Sequence, residues 1–221
     1  MAITVKICGL SEPAGLHAAL EGGADALGFI FFPPSPRYVD PARAGELIGE
    51  VGGRAQTAGV FVDPDDALLD QVLSQAPLDI VQLHGSEQPE RVRAVRERTG
   101  RLVMKALKVR EPADLRGVAE YAQAADLLMF DAKPPLRPGA LPGGNGEPFD
   151  WTLLAGLRVE RPWYLSGGLT ALDLESAYRS SGARAFDVSS GVERAPGVKD
   201  PAKIKAFLEA AARLRSRETM T

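Results

Sequence analysis

The sequence predicts a single (β/α)8 TIM barrel spanning residues 1–221, with a parallel eight-stranded sheet, and three observations carry that expectation. Short runs rich in Val, Ile, Leu and Phe alternate with longer amphipathic stretches from one end to the other, and the runs number eight. The runs are nearly continuous in apolar character, as parallel strands covered on both faces require. The two loops that break the short-loop rule both follow strand candidates, which in a parallel barrel places them on one face. Eight units in 221 residues leave about 28 residues each, compact against the roughly 250 usual for this architecture, so insertions must be few. An open doubly wound sheet of eight strands is the alternative.

Taken in order, the first strand candidate, 3–8 (ITVKIC), precedes Ser11 and a first helix. The second, 26–31 (ALGFIF), leads through the loop FPPSPRYVD to a helix opened by Pro41. The third, 56–62 (QTAGVFV), runs into Asp63 and Pro64 ahead of the next helix, and the fourth, 79–83 (DIVQL), into Ser86. After the fifth, 102–107 (LVMKAL), Pro112 opens a helix. The sixth, 127–130 (LLMF), is followed by the long Pro/Gly loop 132–149 and then Asp150 before a short helix. Thr170 is the expected cap after the seventh, 163–165 (WYL), and Asp200 with Pro201 starts the last helix after the eighth, 185–188 (AFDV).

Composition narrows the function classes. Hydrophobic residues make up 45% and charged residues 25%, ordinary proportions for one soluble domain with a sizeable core. A net charge of -3 supplies no global basic field for nucleic acid, so any bound anion must be held locally. The lone cysteine, Cys8, cannot form an internal disulfide or a cysteine metal site, which fits a reducing compartment. The start MAITVKICGL lacks the long apolar region of a signal peptide, and no run approaches a membrane span; the expected location is cytoplasmic, with no membrane partner.

Polar groups at strand ends are the candidates for chemistry, because parallel strands deliver their C-terminal residues to one rim. Cys8 ends the first strand; such a residue is commonly a small core hydrophobe, but a thiolate near Lys6 would be a competent base. Asp131 emerges from the apolar run DLLMF, where a carboxylate is costly unless structurally bonded or functional. Facing one another, the two could divide proton removal and proton donation between them. The glycines Gly167 and Gly168 of LSGGLT, with Ser189, Ser190 and Gly191 of DVSSGVE, form the loops after strands seven and eight, the usual phosphate site of barrels. Arg37, held between Pro36 and Tyr38, could clamp a carboxylate through its fork. His84 of QLHGSE is either a loop-packing or a reacting residue, Asp187 lies within the eighth strand, and His17 is an ordinary helix residue. The run ERVRAVRER reads as a solvated helix face.

Together, KICGL, GFIFFPPSPRYV, GVFVD, VQLHGSE, FDAKPP, PGGNGEPFDW, LSGGL, FDVSSGVE and PGVKD resemble the phosphoribosylanthranilate isomerase family, in the family's order and over nearly the whole chain. That resemblance implies an Amadori rearrangement of a phosphorylated aminosugar in tryptophan biosynthesis, with no cofactor and no metal. It implies Asp131 as the general acid at the furanose ring oxygen and Cys8 as the general base at C2. Arg37 would hold the anthranilate carboxylate. Gly168, Ser190 and Gly191 would bind the phosphate through backbone amides, helped by the stretch containing Gly144, Asn145 and Gly146. Asn145 stands where many members carry Thr, and the approach KPPLRPGALP departs from shorter family loops. A rival is the related histidine-pathway isomerase, which resembles a duplicated half-barrel with a phosphate site in each half and two aspartates. The third strand here ends in VFVDP without a glycine pair, and the first ends in a thiol, which favours the anthranilate substrate. A barrel that only binds such a ligand is the non-catalytic alternative. A monomer or a homodimer is expected.

Overall fold

A computed structural model of the chain describes residues 3–135, 142–144, 146 and 148–218. Its sheet is a closed barrel of β1 (Thr4–Cys8), β2 (Ala26–Ile30), β3 (Gln56–Phe61), β4 (Ile80–Leu83), β5 (Leu102–Val109), β6 (Leu127–Ala132), β7 (Trp163–Leu165) and β8 (Ala185–Val188). Every neighbouring pair is parallel, and β8 returns to β1 through the register Thr4 with Ala185 and Lys6 with Asp187. Closure rules out the open doubly wound sheet. Around the barrel lie α1 (Pro13–Glu21), α2 (Pro41–Val51), α3 (Asp66–Gln75), α4 (Pro89–Thr99), α5 (Val118–Ala124), α6 (Leu174–Ser181) and α7 (Pro201–Glu218). A small antiparallel pair, β9 (Glu193–Ala195) and β10 (Val198–Lys199), stands on the loop after β8.

All eight expected strands form, but two run longer at the end that matters. β5 reaches Val109 and β6 reaches Ala132, because the ladder continues through the pair Lys108 and Asp131. Apolar content marked where those strands begin, whereas polar residues facing the mouth complete them. The helices after β5 and β7 differ more. Pro112–Leu115 is a separate 3-10 turn, and α5 starts only at Val118. Thr170 is not a helix cap: its amide and hydroxyl both bond to Asp173 Oδ2, a turn follows, and α6 opens at Leu174. Between β6 and β7 the helical element is the 3-10 turn Trp151–Leu154, whose Thr152 amide donates to Asp150, as the expected short helix required.

The core has two shells. Ala58, Ile80, Met104, Ala106, Met129, Tyr164 and Ala185 fill the barrel interior, while aliphatic and Phe side chains on the outer strand faces meet the helices. Strand alternation produces this split, since successive side chains point to opposite faces. Full burial of one such side chain contributes about 1.5–3 kcal/mol.

At the end where the strands begin, three aspartates repeat one contact. Asp25, Asp79 and Asp126, each just ahead of an even-numbered strand, accept the amides of Val5, Thr57 and Val103 on the preceding odd-numbered strand. The bonds run 2.7 to 2.9 Å. The interior residues at the opposite end of β1, β4, β5, β6 and β8 are Cys8, His84, Lys108, Asp131 and Asp187, and there the barrel opens.

Candidate active site

The mouth holds a cavity of about 860 Å³, counting its open side, with Cys8, Arg37, His84, Asp131, Gly168 and Ser190 among its walls. Residues separated by most of the chain converge here because each ends its strand, or follows it, on the same rim.

Cys8 comes from β1, where Lys6 shares its face two residues earlier. Both side chains occupy the space above Gly28 on β2: a Cβ there would lie 2.8 Å from Cys8 Sγ and 3.0 Å from Lys6 Nζ. A larger residue at 28 would displace the thiol, so glycine fits this strand position for want of a side chain. Burial pushes the Cys8 thiol above its ordinary pKa, and the Lys6 ammonium opposes that rise. Lys6 is wholly buried and donates to Asp187 Oδ1 at 2.8 Å. Burial disfavours its charge, but Asp187 and Cys8 outweigh burial and hold Lys6 protonated above its usual range. Asp187 also accepts from the Ser166 hydroxyl at 3.1 Å. Its carboxylate therefore anchors the lysine beside the thiol.

Asp131 faces in from β6. His84 Nε2 lies 3.0 Å from its Oδ2, and Lys108 Nζ donates to the same oxygen at 3.2 Å. Burial alone would raise the carboxyl, yet Lys108 and His84 outweigh it and hold Asp131 well below the usual carboxylate range. Burial and then Lys108 push His84 down, so its imidazole is neutral at pH 7. Gln82 completes the row, its Nε2 3.0 Å from His84 Nδ1. With the amide so placed, Nδ1 accepts and Nε2–H points to the carboxylate.

Arg37 is 4% exposed despite its place on a loop. Nε and Nη2 meet Glu193 Oε1 and Oε2 at 2.7 and 2.9 Å, and Nη2 also donates to the Gly144 carbonyl at 3.3 Å. The Nε/Nη2 edge of the fork is therefore already occupied by the protein, and among the described residues Nη1 has no hydrogen-bond partner. Lys199 donates to Glu193 Oε1 at 2.8 Å, and it bonds the Ser189 carbonyl and hydroxyl as well. Burial works against the Glu193 charge, but Arg37 and Lys199 prevail and its pKa is lowered.

The glycine turns after β7 and β8 border the same cavity. Gly167 and Gly168 have φ of 90° and 68°, the left-handed region that side chains rarely adopt, and both line the cavity with Ser189 and Ser190. Gly144 and Gly146 border it from the loop after β6. Gly191 stands behind this wall, its backbone packed against the Leu169 carbonyl. Asn145 lies outside the described residues.

Thus Cys8, Asp131, Arg37, His84, Gly144, Gly146, Gly167, Gly168, Ser190 and Asp187 line one cavity, while Gly191 supports it. Sequence reasoning passed over Lys108, Glu193, Lys199 and Gln82. A signal for Lys108 was present in LVMKALKV: it shares strand parity with Met104 and Ala106, whereas Lys105 falls on the opposite face. Lys105 accordingly pairs with Glu87 at 2.7 Å outside the barrel. Among the described residues no group of His, Cys, Asp and Glu is arranged to hold a metal ion, and no helix is long and apolar enough to cross a membrane.

The family model described as N-(5'phosphoribosyl)anthranilate (PRA) isomerase matches residues 5–210. The chain is 54% identical over 208 residues to the N-(5'-phosphoribosyl)anthranilate isomerase of Paracoccus denitrificans, covering 94% of this chain and 96% of that one. Among solved structures, phosphoribosyl anthranilate isomerase in complex with reduced 1-(o-carboxyphenylamino)-1-deoxyribulose 5-phosphate superposes with a TM-score of 0.83 at 35% identity, covering 96% and 99% of the two chains. Mutually generated monomers of the dimeric enzyme from Thermotoga maritima give 0.82 at 35% identity with the same coverage. With the motifs, the closed barrel and the cavity all in agreement with these matches, the chain belongs to the N-(5'-phosphoribosyl)anthranilate isomerase family.

Proposed function

We propose that this chain, as one barrel domain, converts N-(5-phosphoribosyl)anthranilate to 1-(2-carboxyphenylamino)-1-deoxyribulose 5-phosphate in tryptophan biosynthesis, with Asp131 as acid and Cys8 as base. The observation that carries the roles is the convergence of Cys8, Asp131, Arg37 and the glycine turns after β7 and β8 on one cavity. Asp131 gives a proton to the furanose ring oxygen, the C1–O bond opens, and an iminium forms between C1 and the anilino nitrogen. Cys8 removes the C2 proton, leaving an enolamine that tautomerises to the ketone. Arg37 holds the anthranilate carboxylate through its free edge, and the amides of Gly168 and the Ser190–Gly191 turn, with the Gly144–Gly146 stretch, hold the phosphate.

The shifts have a consequence for this chemistry. At neutral pH the resting pair is a Cys8 thiol and an Asp131 carboxylate. The reactive arrangement, thiolate with carboxylic acid, contains the same number of protons. Its population is therefore a tautomeric constant across the plateau between the two macroscopic pKa values, not a function of pH. Lys6 beside the thiol favours the reactive form.

The enzyme works in the cytoplasm as a monomer or homodimer, without nucleic-acid or membrane partners. The test is turnover followed by loss of anthranilate fluorescence. Expected is conversion of the anthranilate substrate; turnover of the imidazole substrate of the histidine-pathway isomerase alone would reject the assignment.

A further inference from the structure

Asp131 is the acid of the reading above, yet its surroundings keep it without a proton. An ammonium and the N–H of a neutral imidazole press on one oxygen: Lys108 Nζ at 3.2 Å and His84 Nε2 at 3.0 Å. Lys108 is the cross-strand partner of Asp131 in the β5–β6 ladder, so backbone pairing fixes their approach. Its side chain remains 19% exposed while Asp131 shows 5%, which places the ammonium between the buried carboxylate and water.

We propose that Lys108 is a positioning residue that serves as the proton reservoir behind Asp131, feeding the carboxylate while the substrate's ring oxygen is protonated. The inference rests on Asp131 being the acid. The Nζ–H bond of Lys108 breaks as an O–H bond forms on Asp131. That O–H bond then breaks as the ring oxygen takes the proton and the C1–O bond cleaves to the iminium. The neutral amine left on Lys108 regains its proton from water along its exposed side, and this uptake balances the thiol proton that Cys8 gives to water before it takes the one at C2. The chain ends with Asp131 ionised and Lys108 charged, ready for the next turnover.

His84 from β4 touches Asp131, Lys105 and Glu87 act on Lys108 across the strand, and Asp187 from β8 acts on His84. Burial lowers Lys108 from its ordinary value, and Asp131 opposes that drop. The direction eases release of the proton. His84 is the competing donor, but burial and Lys108 keep its ring neutral.

Two substitutions separate proton supply from charge. Lys108→Met removes both, whereas Lys108→Arg keeps a cation beside Asp131 that cannot be deprotonated in a protein. Because the arginine preserves the ion pair, it also protects the fold if the methionine variant fails. The readout is the pH profile of kcat and KM from pH 6 to 9. Expected for both variants is a kcat loss of about 100-fold, the lower end of the range for a positioned acid, growing as the pH rises, with KM of Lys108→Arg unchanged. Wild-type kcat in Lys108→Arg would overturn the reservoir, since charge alone would then suffice. An equal loss at every pH would overturn it too, as a structural effect. Asp131→Asn run alongside distinguishes the two levels: wild-type rates there would remove the acid assignment and the reservoir together, whereas an inactive Asp131→Asn with an unmoved Lys108 profile removes the reservoir alone.

Discussion

Arg37 and Glu193 meet edge to edge across 156 residues of chain, Nε to Oε1 at 2.7 Å and Nη2 to Oε2 at 2.9 Å, tying the loop after β2 to the strand after β8. The guanidinium plane is thereby fixed before any substrate arrives, and Lys199 brings a second cation to the same carboxylate. Glu193→Gln keeps the shape and removes half of this clasp. It should raise KM for the anthranilate substrate by about tenfold, the worth of one charge-assisted hydrogen bond, with a smaller change in kcat. Steady-state kinetics decide it, and an unaltered KM would show that Arg37 does not need this partner.

Cys8→Ser and Asp131→Asn should each lower kcat by about two to four powers of ten, the usual range for a positioned base or acid. Thermal unfolding of Cys8→Ser near the wild-type midpoint, with Asp131→Asn still folding cooperatively at a lowered one, would show that the loss is chemical. Rates close to wild type in both would discard the two roles.

Glycine substitutions offer a contrast between site and scaffold. At Gly28 a methyl group would stand 2.8 Å from Cys8 Sγ and 3.0 Å from Lys6 Nζ. Gly28→Ala should therefore cut kcat by at least tenfold, through displacement of the thiol. At the exposed Gly49 in α2 an added Cβ meets nothing within 4 Å. Gly49→Ala should stabilise the fold by about 0.5–1 kcal/mol and leave turnover untouched. A kinetic and calorimetric comparison of the two checks both halves, and normal kcat in Gly28→Ala would show that the thiol has room to move.

Acid should destabilise this fold through Asp131 and His84 together. The folded Asp131 pKa is depressed, so its contribution is complete above the ordinary carboxylate value of about 4 and disappears as pH falls toward the folded value. The folded His84 pKa is also depressed, so below about 6.5 the unfolded chain takes up a proton that the folded one resists. Both make stability fall with falling pH. Denaturation midpoints measured from pH 7 to 3 should decline, and Asp131→Asn should flatten the lower part of that slope. An identical slope in the variant would refute the assignment of the shift.

Strand apolarity made the barrel legible, because its eight strands are covered on two sides and are written largely in apolar residues. Helix starts were less so: Thr170 has the chemistry of a cap, but Asp173 three residues later captures both its amide and its hydroxyl. Cys8, Asp131 and Arg37 could be singled out because each is an unusual residue type at a strand end or in a stiff loop. Glu193 and Lys199 could not, since a charged residue in a polar loop looks solvated until the fold brings Arg37 against it. Lys108 was obscured by Lys105, and only strand parity separates the inward lysine from the outward one.

The aspartate contacts at Val5, Thr57 and Val103 have a consequence for how this protein can change. They fasten adjacent strands in pairs from the far rim, using side chains that take no part at the mouth. Alterations to the residues that meet substrate thus leave these rivets in place, and selection could retune one rim for a different ligand while the other preserves the architecture.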